Sequence, residues 1–160
     1  MSEAWVVNAS PLILLSRIGR LDLIERLAPV ALVPAAVIDE IRDGEHKDRT
    51  AATALEWATG HRIEDVPVMT SIERWDLGLG EAQVITHCIG RSRWAVLDDR
   101  TARDCAAAHN VPAIGTLGIV LRSKKDRQIE AARPLVKELI AAGMFLDDEF
   151  ADRALASIGE

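Results

Sequence analysis

No stretch of the 160-residue chain approaches the roughly 20 consecutive apolar residues that a membrane-spanning helix needs, and no membrane partner is expected. The start, Met1-Ser2-Glu3-Ala4, is acidic rather than basic, and the apolar stretch after it is broken by Asn8, Ser10 and Pro11. A secretory signal is therefore not expected, and the expected location is cytoplasmic. Cysteine is scarce: Cys88 and Cys105 have neither zinc-type pair spacing nor the density of a disulfide framework, and both are expected to be reduced core residues inside helices. Basic residues are in deficit, with 19 Lys and Arg against 25 Asp and Glu and a formal charge of −6. That argues against holding nucleic acid by overall basicity. It leaves phosphate chemistry open, because carboxylates that bind a metal add to the negative total while the metal reverses the local sign.

Other chemistries are missing too. There is no Gly-x-Ser-x-Gly elbow to expose a serine nucleophile. Gly78-Leu79-Gly80 lacks the further glycine and the preceding strand of a dinucleotide loop. His46, His61, His87 and His109 show no i,i+4 pairing and no zinc set. Internal repeats, low-complexity tracts and long linkers are also absent.

What is present is a chain with 49% hydrophobic and 28% charged residues, which suits one globular domain over residues 1–160 with a sizeable core. Short apolar runs at Ala4 to Val7, Ala31 to Val33, Ile63 to Val66, Trp94 to Leu97 and Val111 to Ile114 read as about five strands. Between them lie helical patterns. Leu12, Leu15, Ile18 and Leu21 to Leu27 read as one helix with Pro11 in its first turn and Ser10 or Asn8 as cap. Pro34 stops the second strand and starts a helix carrying Val37, Ile38 and Ile41, and a polar helix spans Lys47 to Thr59. Met69 to Leu79 holds a brief helix and a loop, with Ser71 as a cap. Glu81 opens a helix running to Ile89, and Thr101 to His109 forms another, ended by His109-Asn110. Leu117 to Arg122, Glu130 to Ala142 and Asp147 to Ile158 complete the set. Strands alternating with helices imply an α/β three-layer sandwich with a central parallel sheet and extra C-terminal helices.

In such a sheet, sites form beyond the carboxyl ends of the strands, where strand order reverses. Strand one ends in Asn8 and Ser10 and strand four in Asp98 and Asp99, and right-handed crossovers often set these two strands side by side. Glu40 follows strand two on an anchored helix, and Glu81 starts the helix before strand four. An oxygen-only set of this kind suits Mg²⁺ or Mn²⁺, which would polarise a phosphate oxygen and lower the pKa of an attacking water. Singly, each residue has a structural reading. Asp98-Asp99 caps a helix, Glu81 is a first-turn acid favoured by the helix dipole, Glu40 pairs with a neighbouring base on a solvated face, and Asn8 to Pro11 is a strand-to-helix turn.

Taken in order, Val6-Val7-Asn8-Ala9-Ser10-Pro11-Leu12-Ile13, Val33-Pro34-Ala35-Ala36-Val37-Ile38-Asp39-Glu40-Ile41, Leu79-Gly80-Glu81-Ala82-Gln83 and Leu97-Asp98-Asp99-Arg100-Thr101-Ala102-Arg103 resemble a PIN domain. More narrowly they resemble the subfamily opening with Asn-Ala-Ser-Pro-Leu, and Gly115-Thr116-Leu117-Gly118 extends the likeness over nearly the whole chain. The resemblance implies a five-stranded parallel sheet, Mg²⁺- or Mn²⁺-dependent endoribonuclease activity, and service as a VapC-like toxin with a small antitoxin partner and often a homodimer. It implies Glu40, Glu81 and Asp99 as the second, third and fourth acids, Asp98 as a neighbouring candidate, and Ser10 as the hydroxyl two positions after the first acid. At the first acid's place stands Asn8, where the family typically has Asp and this subfamily often has Asn. An amide offers a neutral carbonyl oxygen, so a weakened nuclease that acts as an RNA- or antitoxin-binding regulator is the alternative.

Arg100 and Arg103 would hold substrate phosphates by charge-assisted hydrogen bonds or serve in surface ion pairs, while Ser10 and Thr116 would orient ligands or phosphate. The run Arg122-Ser123-Lys124-Lys125-Asp126-Arg127 reads first as a solvated helix end and second as an RNA backbone contact. Trp5, Trp57, Trp75 and Trp94 read first as core or interface, and Trp75, in the loop near Glu81, is the one to test for stacking on RNA. Leu135, Leu139, Ile140, Phe145, Phe150, Leu155 and Ile158 form apolar stripes read first as core and second as a groove for a partner helix.

Overall fold

The computed structural model describes residues 2–44 and 48–160. Among them five strands form one sheet in the order β3-β2-β1-β4-β5: β1 (Ala4–Val7), β2 (Ala31–Pro34), β3 (Arg62–Ile63), β4 (Arg93–Val96) and β5 (Ala113–Ile114). Every neighbouring pair is parallel, and helices cover both faces, giving the expected three-layer α/β sandwich. The central strands β1 and β2 are short and apolar along their whole length because both faces are covered, whereas the edge strand β3 carries an exposed Arg62. Val6, Val7, Val33, Ala95 and Val96 are all fully buried. Trp5 and Trp94 are register partners across β1 and β4, with rings stacked at 5.8 Å and 3°.

The single helix expected from Leu12 to Leu27 is two, α1 (Ala9–Arg17) and α2 (Asp22–Leu27). Gly19 adopts φ +67°. Its N–H donates to Ser16 O at 3.0 Å and that of Arg20 to Leu15 O at 2.8 Å, a pair of bonds that closes a helix end through a left-handed residue. Pro34 does not start a helix: it is the last residue of β2, paired in register with Ile63, and α3 (Ala35–Gly44) follows. The polar helix is α4 (Thr50–Thr59); its expected start, Lys47, lies outside the described residues, as does His46.

β3 is shorter than expected because Val66 is held by a side chain instead of a strand. Gln83 Nε2 donates to Val66 O at 2.7 Å and Val66 N to Gln83 Oε1 at 3.0 Å. β5 is likewise shorter than expected: Val111 lies before it and donates its amide to Ala106 O at 2.8 Å, closing α7 (Arg100–Ala108). The brief helix α5 (Thr70–Glu73) is capped at Met69, not Ser71, and Ser71 Oγ meets His109 Nε2 at 2.9 Å. The remaining helices are α6 (Leu79–Cys88), α8 (Thr116–Lys125), α9 (Arg133–Ala141) and α10 (Asp148–Ala156). Cys88 and Cys105 are buried and free, and burial pushes the Cys88 thiol up to about 12.

Candidate active site

β1 and β4 lie side by side in register, Val7 opposite Val96, so the residues that follow each strand leave the sheet together. Asn8 donates its backbone N–H to Val96 O at 3.1 Å and caps α1 by position, yet its side chain makes no capping bond. It is only 7% exposed, and its Oδ1 has no hydrogen-bond partner among the described residues.

Glu40, on α3, comes to this place through a glycine. Gly80, in the first turn of α6, donates its N–H to Glu40 Oε1 at 3.0 Å. A Cβ on Gly80 would stand 2.5 Å from Glu40 Oε1 and 3.2 Å from Asn8 Oδ1. The two oxygens therefore face the same bare patch of backbone, and the absent side chain leaves them room. Glu81 follows, and its Oε2 is also buried without a hydrogen-bond partner among the described residues. Burial, foremost, then the negative charges of Asp99 and Glu40 push its carboxyl above the ordinary range, against a backbone hydrogen bond at Gly78 that lowers it.

The adjacent aspartates do different things. Asp99 caps α7, its Oδ2 accepting from Ala102 N at 2.9 Å. Asp98 accepts three hydrogen bonds: from Ser10 Oγ at 2.9 Å, from Thr116 Oγ1 at 2.7 Å and from Thr116 N at 2.7 Å. Gly115 makes space here as Gly80 does above. Its missing Cβ would lie 3.0 Å from Asp98 Oδ1 and 3.4 Å from an Arg103 Nη1.

A cleft of about 890 Å³ opens over this cluster, its polar lining including Asn8, Ser10, Glu81, Asp98, Asp99 and the cations Arg17 and Arg103. Glu40 is exposed and joins it through Gly80 rather than through the lining. Arg100 is exposed at the start of α7 and does not line the cleft. The opposite wall is apolar and includes Met144, Phe145, Leu146 and Phe150. Of the residues read first as core, Leu135, Leu139 and Leu155 are buried as expected, whereas Phe145 is 104% exposed and Phe150 48%. Trp75 packs half-buried against the core and does not line the cleft. The basic run ends α8 as a helix terminus: Arg122 lies 4.9 Å over the Trp94 ring and Lys124 donates to Glu130 O.

Among the described residues no three His, Cys, Asp or Glu side chains stand as a ready-made ion cage. The donor chemistry nevertheless suits a hard divalent cation, because the donors are all oxygens and two of them, Asn8 Oδ1 and Glu81 Oε2, are buried with no hydrogen-bond partner among the described residues. Two contributors were not legible as functional in the residues themselves. Gly80 stands in the sequence only as part of the Leu79-Gly80-Glu81-Ala82-Gln83 motif, with no sign that its bare backbone receives Glu40, and the Phe145 and Phe150 wall resembles core because its spacing continues that of buried neighbours.

A family model described as a PIN domain matches residues 4–160. The chain belongs to the PIN-domain family. No curated protein matches it. PIN domains are a nuclease fold whose members generally use divalent metal ions, and the five-stranded parallel sheet flanked by helices is consistent with that fold. This PIN domain contains no helix, among its described residues, long and apolar enough to cross a membrane.

Proposed function

We propose that this PIN domain, acting as one unit over residues 1–160, is a Mg²⁺- or Mn²⁺-dependent endoribonuclease and the toxin of a toxin–antitoxin pair in the cytoplasm. The observation that carries the reading is the convergence of Asn8 Oδ1 and Glu40 Oε1 on bare Gly80, beside the unpartnered Glu81 Oε2. Asn8, Glu40, Glu81 and Asp99 would hold the cation. When bound, it supplies the charge that polarises a phosphate oxygen and makes water a competent nucleophile. Hydrolysis forms one P–O bond to that water and breaks one to the leaving oxygen, which takes up a proton.

Arg103, in the cleft lining, would pair with a flanking phosphate of the RNA, and Arg100, exposed on the same helix outside the lining, with a more distant one. Burial and neighbouring acids make Glu81 costly as a bare anion, and a cation relieves that cost. The exposed Phe145 and Phe150 on the apolar wall support a protein partner at the same cleft, a small antitoxin or a second copy of the chain.

Titration with Mn²⁺ and an RNA cleavage assay on Glu81→Gln and Asp99→Asn test this. Wild-type uptake of the ion and loss of cleavage in both variants, with circular dichroism unchanged, is the expected result; undiminished cleavage in both overturns the assignment. One observation favours a second reading, a weakened nuclease that regulates by capturing RNA or antitoxin: the first acid is the neutral Asn8. A wild type that takes up no Mn²⁺ and cleaves nothing, yet retains RNA or an antitoxin, is its signature.

A further inference from the structure

We propose that Asp98 is the positioning residue of the site and not one of its ion-binding acids: its carboxylate is a clamp, closed by the Ser10 and Thr116 hydroxyls, that sets Asn8 and Asp99 against Glu81. The inference rests on the metal-dependent reading given above. A carboxylate has about four lone-pair positions to offer. In Asp98 three are filled, Oδ2 by Ser10 Oγ and Thr116 Oγ1 and Oδ1 by Thr116 N. Gly115 backs onto Oδ1 so closely that a Cβ there would stand 3.0 Å away. Asp99 differs: one oxygen caps α7 and the other accepts no hydrogen bond among the described residues.

The donors explain what the clamp does. Ser10 is the second residue of α1 and Thr116 the first of α8, so one side chain on the turn after β4 ties the starts of two helices. Asn8 lies two residues before Ser10, and Asp99 is the next residue after Asp98. Fixing Ser10 fixes the direction in which Asn8 Oδ1 leaves β1. Fixing Asp98 holds the turn from which Asp99 projects toward Glu81. The two hydroxyls are thereby occupied within the protein: in this arrangement neither Ser10 nor Thr116 directs its proton at a phosphate or a ligand. Supporting groups that orient the donors of an ion site commonly govern its affinity without touching the ion.

Asparagine at position 98 separates the two roles. It keeps an acceptor for Thr116 N, and its amide can donate to the two hydroxyl oxygens, so the clamp survives while the charge is lost. Mn²⁺ affinity, read by titration calorimetry and by the electron paramagnetic resonance of free Mn²⁺, is expected to stay within about threefold of wild type in Asp98→Asn, a change the size of one altered neutral hydrogen bond. Asp98→Ala is expected to lose roughly 10- to 100-fold, as removal of an orienting partner does, and Asp99→Asn to lose affinity as a ligand does. An Asp98→Asn variant that falls as far as Asp99→Asn overturns the proposal.

A second measurement needs no ion. In the metal-free protein the melting-temperature losses of Ser10→Ala and Asp98→Ala should be less than additive, and those of Thr116→Val and Asp98→Ala likewise, because each single change removes the bond that the pair shares. Strict additivity in both pairs overturns the clamp, and where Asp98→Ala does not fold, a Ser10→Ala, Thr116→Val double variant that binds Mn²⁺ as tightly as wild type overturns it. A wild type that binds no Mn²⁺ removes the metal-dependent reading and leaves these two cycles to decide the clamp by themselves.

Discussion

The two ends of α1 each meet an aspartate, and the aspartates are dressed alike except for charge. At the last turn, Arg17 Nε pairs with Asp48 Oδ2 at 2.7 Å, while Asp48 Oδ1 accepts from Thr50 N at 2.9 Å and Thr50 Oγ1 at 2.6 Å. At the first turn, Asp98 takes the same two groups from Thr116 and a serine hydroxyl where the arginine would be; it forms no ion pair among the described residues. The Asp48 end is neutralised and complete. The Asp98 end is equally well hydrogen-bonded but leaves negative charge standing beside Glu81 and Asp99. The charges that act on Glu81 are those of Asp99 and Glu40, and crowded carboxylates repel unless a cation lies among them; Asp98 frames that cluster through its hydrogen bonds and not through its charge.

The largest effect expected from breaking this contrast is at Gly80. Gly80→Val would put a Cβ 2.5 Å from Glu40 Oε1, and the flexible glutamate would swing away. RNA cleavage should fall about 100-fold or more, the cost of a misplaced site group, with Mn²⁺ affinity falling too and the melting temperature little changed. A variant that binds Mn²⁺ normally would show that Glu40 is not part of the cluster.

Asp48→Ala should do the reverse. Losing the bonds at the start of α4 should cost about 1 kcal/mol, as loss of a helix cap does, read as a lower denaturation midpoint at unchanged slope, while Mn²⁺ affinity stays put. A fall in affinity here would mean that the two ends are coupled through α1.

Smaller, and opposite in sign, is Glu81→Gln in the absence of metal. Because the Glu81 carboxyl sits above its ordinary 4.5 in the folded chain, the folded state holds its proton more tightly than the unfolded state does. Stability is then lost as pH rises from 4.5 through the raised folded value. Near neutral pH Glu81→Gln should melt higher than wild type in a chelator, with the gap closing toward pH 4.5, and Mn²⁺ should stabilise only the wild type.

The smallest effect is confined to strong acid. The Thr50 hydroxyl, then Arg17, hold the Asp48 carboxyl at about 2 against an ordinary 3.8. Its contribution is present in full above 3.8 and lost as pH falls through about 2. Acid unfolding monitored across that window should be flatter in Asp48→Asn than in wild type.

Much of the architecture could be read from the residues because apolar strands capped by polar ends are a local signal. The neighbourhood of β1 and β4 followed from Asn8 and Asp98-Asp99 together with the handedness of crossovers. What escaped was decided elsewhere in space. The apolar spacing from Leu12 to Leu27 runs straight through Gly19, and a glycine shows its left-handed turn only once the helix has ended. Val66 looked like strand, but its partner is the side chain of Gln83, 17 residues on. Asp98 and Asp99 are neighbours of identical chemistry, so their division of labour depends on which one the turn aims at Ser10 and Thr116. Phe145 and Phe150 carried the same periodic signature as Leu139 and Leu155, and no spacing rule tells a stripe that meets the core from one left uncovered.

The stacked rings of Trp5 and Trp94 give the molecule an optical property. The chain has four tryptophans and no tyrosine, so its near-ultraviolet signal comes almost wholly from indole. One pair is locked face to face on the two strands whose ends carry Asn8 and Asp98. Two indoles at that separation exchange excitation, and their circular dichroism depends on the angle between them. Any event at the mouth of β1 and β4 that twists one strand against the other would therefore announce itself as a change of colour-band shape, with no label attached and no substrate consumed.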